Sequence, residues 1–284
     1  MLADVLPLLR CPVCGRALQA RAASVSCPTG HSFDIARQGY LSLLPGDARL
    51  GSADTAAMVA ARERFLGAGH FDPLAEELAA QAERALAGRP DGAVLEVGAG
   101  TGFYLSRVLE GLPDRVGVAL DLSKHALRRA ARAHERIGAV ASDAWRPLPL
   151  RDGAAALALS VFAPRDGAEL ARVLQPGATL IVVVPTERHL AELVERLGLL
   201  SVDERKGERL AAKLDPHFGP AVVSPLEWTL ELDRAAVRDA VTMGPSGAHI
   251  DPATLDALDG PLAVTASVEV SLRRRPVSLG ATSG

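Results

Sequence analysis

The chain has 284 residues, enough for one large α/β domain plus a small module, and its net charge of −3 excludes a general polyanion binder held by overall charge. Hydrophobic residues make up 48% of it and aromatic residues only 4%, so the core is expected to be built mainly from Ala, Val and Leu. No apolar run reaches membrane-spanning length and the first residues lack a secretory leader's pattern, so a cytoplasmic location, with no membrane partner and no structural disulfides, is expected.

The first signal along the chain is CPVCGRAL at 11–18, answered by CPTGHSFD at 27–34. Cys11, Cys14, Cys27 and His31 form two close pairs, each offering two donors from one tight turn. Three thiolates and an imidazole suit a closed, structural Zn2+ site. The alternatives are incidental buried cysteines, or a redox pair at Cys11 and Cys14, which would want a βαβ setting that these residues lack. A module spanning 1–45 buries little apolar surface by itself, so the metal is expected to supply most of its folding free energy. Phe33, Ile35, Tyr40 and Leu43 are expected to pack around or beside the site. The module carries four Arg against two Asp, a mild bias compatible with RNA contact.

Residues 46–58 read as a linker, rich in Gly and small polar residues, with 59–284 as the main domain. Two helices are expected next. Asp54 or Thr55 caps the first, GAGHFDP breaks it, and the second runs from about Pro73 to Ala87 with Leu74, Leu78, Ala82 and Leu86 on one apolar face.

AVLEVGAGTGFYLSRVL at 93–109 is the second strong signal. A short strand, Ala93–Val97, meets Gly98, Gly100 and Gly102, and a helix starts near Phe103. Glycines allow a sharp turn and let a ligand approach the backbone. Glu96 at the strand end would repel a diphosphate but suits an ammonium group. The next strand ends in Asp121, nineteen residues after Gly102, where an acid can accept both ribose hydroxyls. A third ends at Ser142, Asp143 and Ala144, where an acid can meet an adenine amino group. Strands at 155–164 and 178–185 follow, with a helix between them, and 264–276 alternates like a late antiparallel strand. This order implies an α/β, Rossmann-like, doubly wound sheet. Its ligand reads as S-adenosyl-L-methionine, and the fold as a class I methyltransferase with an N-terminal zinc-ribbon-like domain. A nicotinamide enzyme is the alternative for this segment.

Taken with FDIARQGYLSLL, MVAARERFLGAGHFDPL, VFAPR and PTERHLAEL in this order, these motifs make the chain resemble the RlmA family of 23S rRNA (guanine-N1)-methyltransferases across nearly its whole length. ADTAAMVAAR, LPLRDGAAALALSVFAPR and HLAELVERLGLL look closest to the RlmA(II) branch, which includes tylosin and mycinamicin resistance enzymes. The resemblance implies methylation of guanine 748 in the hairpin 35 loop, whereas the sister branch modifies guanine 745. It also implies zinc ligands at Cys11, Cys14, Cys27 and His31, cofactor contacts at Phe71, Gly100, Thr101 and His189, and a homodimer. The family often has Tyr where this chain has Phe71, which keeps stacking but loses a hydroxyl hydrogen bond.

Guanine N1 carries a proton that must leave before or during attack. Asp166, His189 and His70 are imaginable bases, and no pattern selects one, so the catalytic residue is left unassigned. Phe162 in VFAPR either stacks on the target guanine or packs in the core, and Pro164 is expected to shape the pocket floor. Lys124, Arg128, Arg129, Arg132 and Arg136, extended by Arg165, Arg188, Arg10, Arg16, Arg21 and Arg37, would form a basic track for RNA, although a charged helix face is more often simply solvated. The zinc module is expected to grip the RNA, so that deleting 1–45 would abolish rRNA methylation and spare cofactor binding. Competing readings are a small-molecule methyltransferase with a structural zinc, and a non-catalytic zinc-ribbon adaptor. The latter would have no use for Glu96, the glycine loop and Asp121.

Overall fold

The computed structural model describes residues 2–46, 53–198, 206–244 and 261–277. LGATSG at 279–284, which reads as a disordered tail, and residues 47–52 of the expected linker lie outside these residues. Chain order runs α1 (Leu2–Val5), β1 (Gln19–Ala20), β2 (Ser24–Ser26), β3 (Ser32–Asp34), β4 (Leu41–Ser42), α2 (Ala56–Gly67), α3 (Asp72–Leu86), β5 (Ala93–Val97), α4 (Phe103–Glu110) and β6 (Gly117–Asp121). It continues through α5 (Lys124–Ala133), β7 (Ile137–Ala141), β8 (Ala155–Val161), α6 (Gly167–Val173), β9 (Leu174–Pro185), α7 (Ala191–Leu197), α8 (Lys206–Leu214), β10 (Val222–Leu232), α9 (Arg234–Thr242) and β11 (Leu262–Arg274).

One eight-stranded sheet carries the large domain, in the order β10-β11-β9-β8-β5-β6-β7-β4. β4 to β9 run parallel, and β10 and β11 close one edge as an antiparallel ribbon. The central strands are short and apolar, and β5, β7 and β8 are buried along their whole length, as a sheet covered on both faces requires. The strand order reverses beside β5, which lies between β6 and β8. In open parallel sheets this reversal leaves a crevice beyond the carboxyl ends of the strands, where ligands bind.

The helices before β5 form as their residues dictate. Thr55 accepts a hydrogen bond from the Met58 N–H at 3.3 Å and caps α2. α2 therefore begins at Ala56, inside the stretch 46–58 expected to be linker. In α3, Leu74, Leu78, Ala82 and Leu86 are all buried, so the four-residue spacing does face the core.

A three-stranded antiparallel sheet, β1-β2-β3, makes the zinc ribbon. It does not stand apart from the large domain. β4 adds to the edge of the large sheet beside β7, with Leu41 opposite Val140. The Arg10 N–H donates to the Pro149 carbonyl at 3.0 Å, and the Arg151 N–H to the Leu8 carbonyl at 2.9 Å. Val5, Leu9, Val25, Leu41 and Leu43 share one apolar cluster with Leu95, Val118, Leu120, Val140 and Leu150. The expectation that metal supplies most of the module's stability is therefore corrected, since much of its apolar surface is buried against the large domain. Phe33 and Ile35 flank this same cluster, whereas Tyr40 packs on the opposite face of the sheet.

Candidate cofactor cavity and metal cluster

The crevice at the carboxyl ends of β5, β6, β8 and β9 is a cavity of about 900 Å³, at the upper end of the range for small-molecule sites. Phe71, Glu96, Gly98, Gly100, Thr101, Asp121, Asp143, Ala144 and His189, all expected from the sequence, line it. Gly102 does not. It is the left-handed N-cap of α4, packed against Ala130 and Ala133 of α5, so it allows the close helix approach and leaves ligand contact to its neighbours.

The glycine loop is built for close approach. Gly98, Gly100 and Gly102 have φ of 73°, 54° and 78°, a region costly for any side chain. A Cβ at Gly98 would collide with the Ala163 methyl, so the β5 turn fits against the VFAPR turn only without a side chain. Asp121 braces the loop. Its Oδ2 accepts from the Gly100 N–H and its Oδ1 from the Ser123 N–H, both at 2.8 Å.

Glu96 is 1% exposed, and its Oε2 accepts the Leu105 N–H at 3.1 Å. Burial pushes its carboxyl up, the Leu105 bond partly opposes this, and the nearby Asp121 charge adds to it, giving a value of about 8. A buried acid held protonated at neutral pH is one that an incoming cation would ionise. The donor set therefore fits the cofactor expected here: glycine backbone for close approach, Asp121 for hydroxyls and Glu96 for an ammonium.

Of the three imagined bases, only His189 lines the cavity. Asp166 caps α6 by accepting the Glu169 N–H at 3.1 Å, and the His70 ring packs on Phe65 with centroids 4.6 Å apart. His189 Nδ1 accepts the Ser267 N–H at 3.2 Å. The neutral ring then carries its proton on Nε2, which makes it a hydrogen-bond donor and not a base.

Phe162 has φ of 53° and is 41% exposed, with its ring facing Phe71 at 6.2 Å and His189 at 5.6 Å. A non-glycine residue in left-handed backbone is strained, and here the strain turns an aromatic face into the cavity instead of the core. Pro164 lines the same wall. Sequence reasoning overlooked Arg62, Asp54 and Tyr104 on the inner wall and Trp145 at the rim, which is 63% exposed with Lys213 Nζ 4.9 Å from its ring centroid. No spacing rule marks Arg62 or Trp145, because α2 and the loop after β7 reach the cavity only through folding, whereas Tyr104 stands on α4 directly after the glycine loop.

The basic track is thinner than expected. Arg136 turns inward onto the carbonyls of Leu109, Leu112 and Arg115. Arg165 donates to the Ser160 Oγ at 3.2 Å and the Ala163 carbonyl at 2.6 Å, and burial brings its guanidinium down to about 10. Arg129, Arg188 and Arg10 pair with Glu63, Glu227 and Asp152. Arg16, Arg21, Arg37, Lys124 and Arg132 are exposed.

The donor atoms of Cys11, Cys14, Cys27 and His31 all lie within 4.8 Å of one another. Cys14 and Cys27 sulfurs are 3.6 Å apart, and His31 Nδ1 is 3.3 Å from Cys27 Sγ and 3.6 Å from Cys11 Sγ. Such separations are far too long for a disulfide and match those around a tetrahedral ion with bonds of about 2.0–2.3 Å. Burial pushes the Cys27 thiol up, but the Thr29 hydroxyl and the His31 and Thr29 N–H groups outweigh it and bring it to about 5. The four residues thus fit a zinc ion.

With the geometry in view, comparison with known proteins decides the family. The zinc-ribbon model described as RlmA, N-terminal, matches residues 9–49, and a methyltransferase domain model matches 94–177. A Streptomyces fradiae protein named 23S rRNA (guanine(748)-N(1))-methyltransferase is 52% identical over 250 residues, covering 88% of this chain and 89% of its own. The chain belongs to the RlmA family of 23S rRNA (guanine-N1)-methyltransferases. A Micromonospora griseorubida relative named for 23S rRNA guanine-N1 methylation is also 52% identical, over 96% of this chain and 99% of its own. Among solved structures, the YcgJ protein of Bacillus subtilis superposes with a TM-score of 0.51 at 14% identity, covering 71% of this chain and 98% of its own, which concerns the fold alone. This RlmA-family chain thus joins a zinc ribbon to an S-adenosylmethionine-dependent methyltransferase domain. No helix among its described residues is long and apolar enough to cross a membrane.

Proposed function

We propose that this chain transfers a methyl group from S-adenosyl-L-methionine to N1 of guanine 748 in the hairpin 35 loop of 23S rRNA, in the cytoplasm, and that this modification confers tylosin or mycinamicin resistance. The observation that carries the reading is the 52% identity to the Streptomyces fradiae enzyme, over nearly nine-tenths of both chains, by a chain that keeps a cavity of the matching chemistry.

The residues divide the work in a stated way. Cys11, Cys14, Cys27 and His31 hold zinc and rigidify the ribbon. Glu96 takes the cofactor's ammonium, Asp121 its ribose hydroxyls and Asp143, with Ala144, its adenine edge. The Gly98–Thr101 backbone and Phe71 close on the rest. When bound, the cofactor supplies an electrophilic methyl sulfonium. The protein must then hold the nucleophile in line with it. The target guanine leaves its loop stack and rests against Phe162, with Pro164 as the floor. His189, donating from Nε2, would offset the charge that develops on O6 as the N1 proton passes to water. Trp145, with Lys213 against its face, offers a second stacking surface at the rim for a neighbouring base. Exposed Arg16, Arg21 and Arg37 on the ribbon contact phosphates. A homodimer, implied by the family resemblance, belongs to the same reading and is read out by light scattering of the purified protein.

Primer extension on 23S rRNA, taken from particles incubated with the protein and cofactor, tests the assignment. A stop at guanine 748 is expected, because N1 methylation blocks Watson–Crick pairing. A stop at guanine 745 would move the chain to the sister activity, and no stop on either naked rRNA or particles would favour a small-molecule substrate. Raised tylosin tolerance in a sensitive host expressing the chain is the expected phenotype.

A further inference from the structure

Four carboxylates line the cavity among the described residues, Asp54, Glu96, Asp121 and Asp143, against two guanidiniums, Arg62 and Arg209. The reading above uses three of the acids and neither arginine. Arg62 stands on α2 and reaches the glycine loop, with Nη1 3.4 Å from the position a Cβ on Gly100 would take. Burial holds Asp121 and Tyr104 toward their neutral forms, and the Arg62 charge opposes this at both, so the guanidinium lies near each of them on the cavity wall that they share. Two groups hold it there. Nη1 pairs with the Asp54 carboxylate, and Nη2 donates to the Met243 carbonyl at 2.9 Å.

This arrangement is not the one tie that α2 and Asp54 have to the domain. α2 already has its own ion pair to α9, where Arg64 donates to Asp239 at 2.9 and 2.5 Å. Asp54 is tied to the domain through its carbonyl, which accepts from the Ser123 hydroxyl at 2.7 Å, so its side chain is not needed to anchor the backbone. Meanwhile the methionyl end of the cofactor is a zwitterion. Glu96 meets its ammonium, but its α-carboxylate must lose water in the same half-buried corner. A desolvated carboxylate there needs a cation, and a planar guanidinium already carrying one carboxylate is shaped to accept another.

We propose that Arg62 is the receptor for the cofactor's α-carboxylate and that Asp54 is a stand-in counter-ion which that carboxylate displaces, while Met243 keeps the guanidinium in place. The inference rests on the cofactor reading of the cavity and adds the carboxylate subsite to it.

Calorimetric titration of the full chain with S-adenosylhomocysteine and with 5′-methylthioadenosine, which lacks the amino-acid end, tests it. Arg62→Gln is expected to weaken S-adenosylhomocysteine about tenfold to a hundredfold and to leave 5′-methylthioadenosine within about twofold. Asp54→Asn removes the competitor and is expected to tighten S-adenosylhomocysteine severalfold, again without effect on the truncated ligand. Equal losses for both ligands in Arg62→Gln, or no loss, would overturn the assignment of Arg62. Weaker or unchanged S-adenosylhomocysteine binding in Asp54→Asn would overturn the displacement, and this arm stands even where Arg62→Gln fails to fold. Failure of the unaltered chain to bind either ligand would overturn the cofactor reading, and this one with it.

Discussion

Glu96 shows how one residue couples burial to function. Its value of about 8 lies well above an exposed glutamate's. The folded state therefore holds a proton that the unfolded chain gives up near pH 4.5. Between these values the native state binds more protons, so stability falls as pH rises and its loss is complete above about 8. The cofactor-free protein is expected to melt progressively lower from pH 5 to pH 9, whereas Glu96→Gln removes most of that slope. Thermal melts of both proteins across this range check it. The cofactor ammonium should reverse the balance, so binding at pH 7 releases a proton, measurable by calorimetry in buffers of different ionisation heat.

At the scale of elements, strand–turn–helix units supply the site. β5 delivers Glu96, its left-handed glycines expose backbone, and β6 ends at Asp121, which braces them. The zinc ribbon is a different kind of element, in which three two- or three-residue strands cannot hold their own geometry. Here the metal fixes the two knuckles while the apolar base is shared with β6, β7 and the loop before β8. Chelation, or Cys27→Ser, is thus expected to release one zinc per chain and lower the melting temperature without unfolding α3 to β9. Elemental analysis and circular dichroism on the treated full chain read this out, and a fully unfolded apo-protein would contradict it.

For the whole molecule, the shared core changes the experiment that separates RNA binding from chemistry. Deleting 1–45 would remove β4 and uncover Val140, Leu120 and Leu150, so loss of activity would report unfolding. Replacing exposed Arg16, Arg21 and Arg37 with Ala avoids this. That triple variant is expected to weaken rRNA binding, lower the slope of log affinity against log salt by about 2–3, and leave cofactor affinity unchanged. Filter binding over a salt series gives the slope. The ribbon lies near the cavity as well. Pro12 of its first knuckle and Leu43 line a small cleft with Ser142, Asp143 and Arg146, so RNA on the ribbon would lie beside the rim that carries Trp145.

What the sequence determined by itself is the local chemistry. Cys11, Cys14, Cys27 and His31 stand at the spacing of two metal-binding turns, and the apolar run into Gly98, Gly100 and Gly102 places Glu96 at a strand end. Asp121 follows because parallel strands repeat with the length of a helix and two turns. These are short-range constraints, and backbone geometry transmits them directly. Tertiary structure decided the rest. It brought Arg62 from α2 and Trp145 from a loop to the cavity, withdrew Arg136 and Arg165 from the expected basic track, chose His189 over His70 and Asp166 for the wall, and joined the ribbon to the large sheet. β10, which pairs along its whole length with β11, was likewise not marked by the sequence reading. Each depends on which distant surfaces bury one another, and that follows from the summed packing of the whole chain and not from any residue's neighbours in sequence.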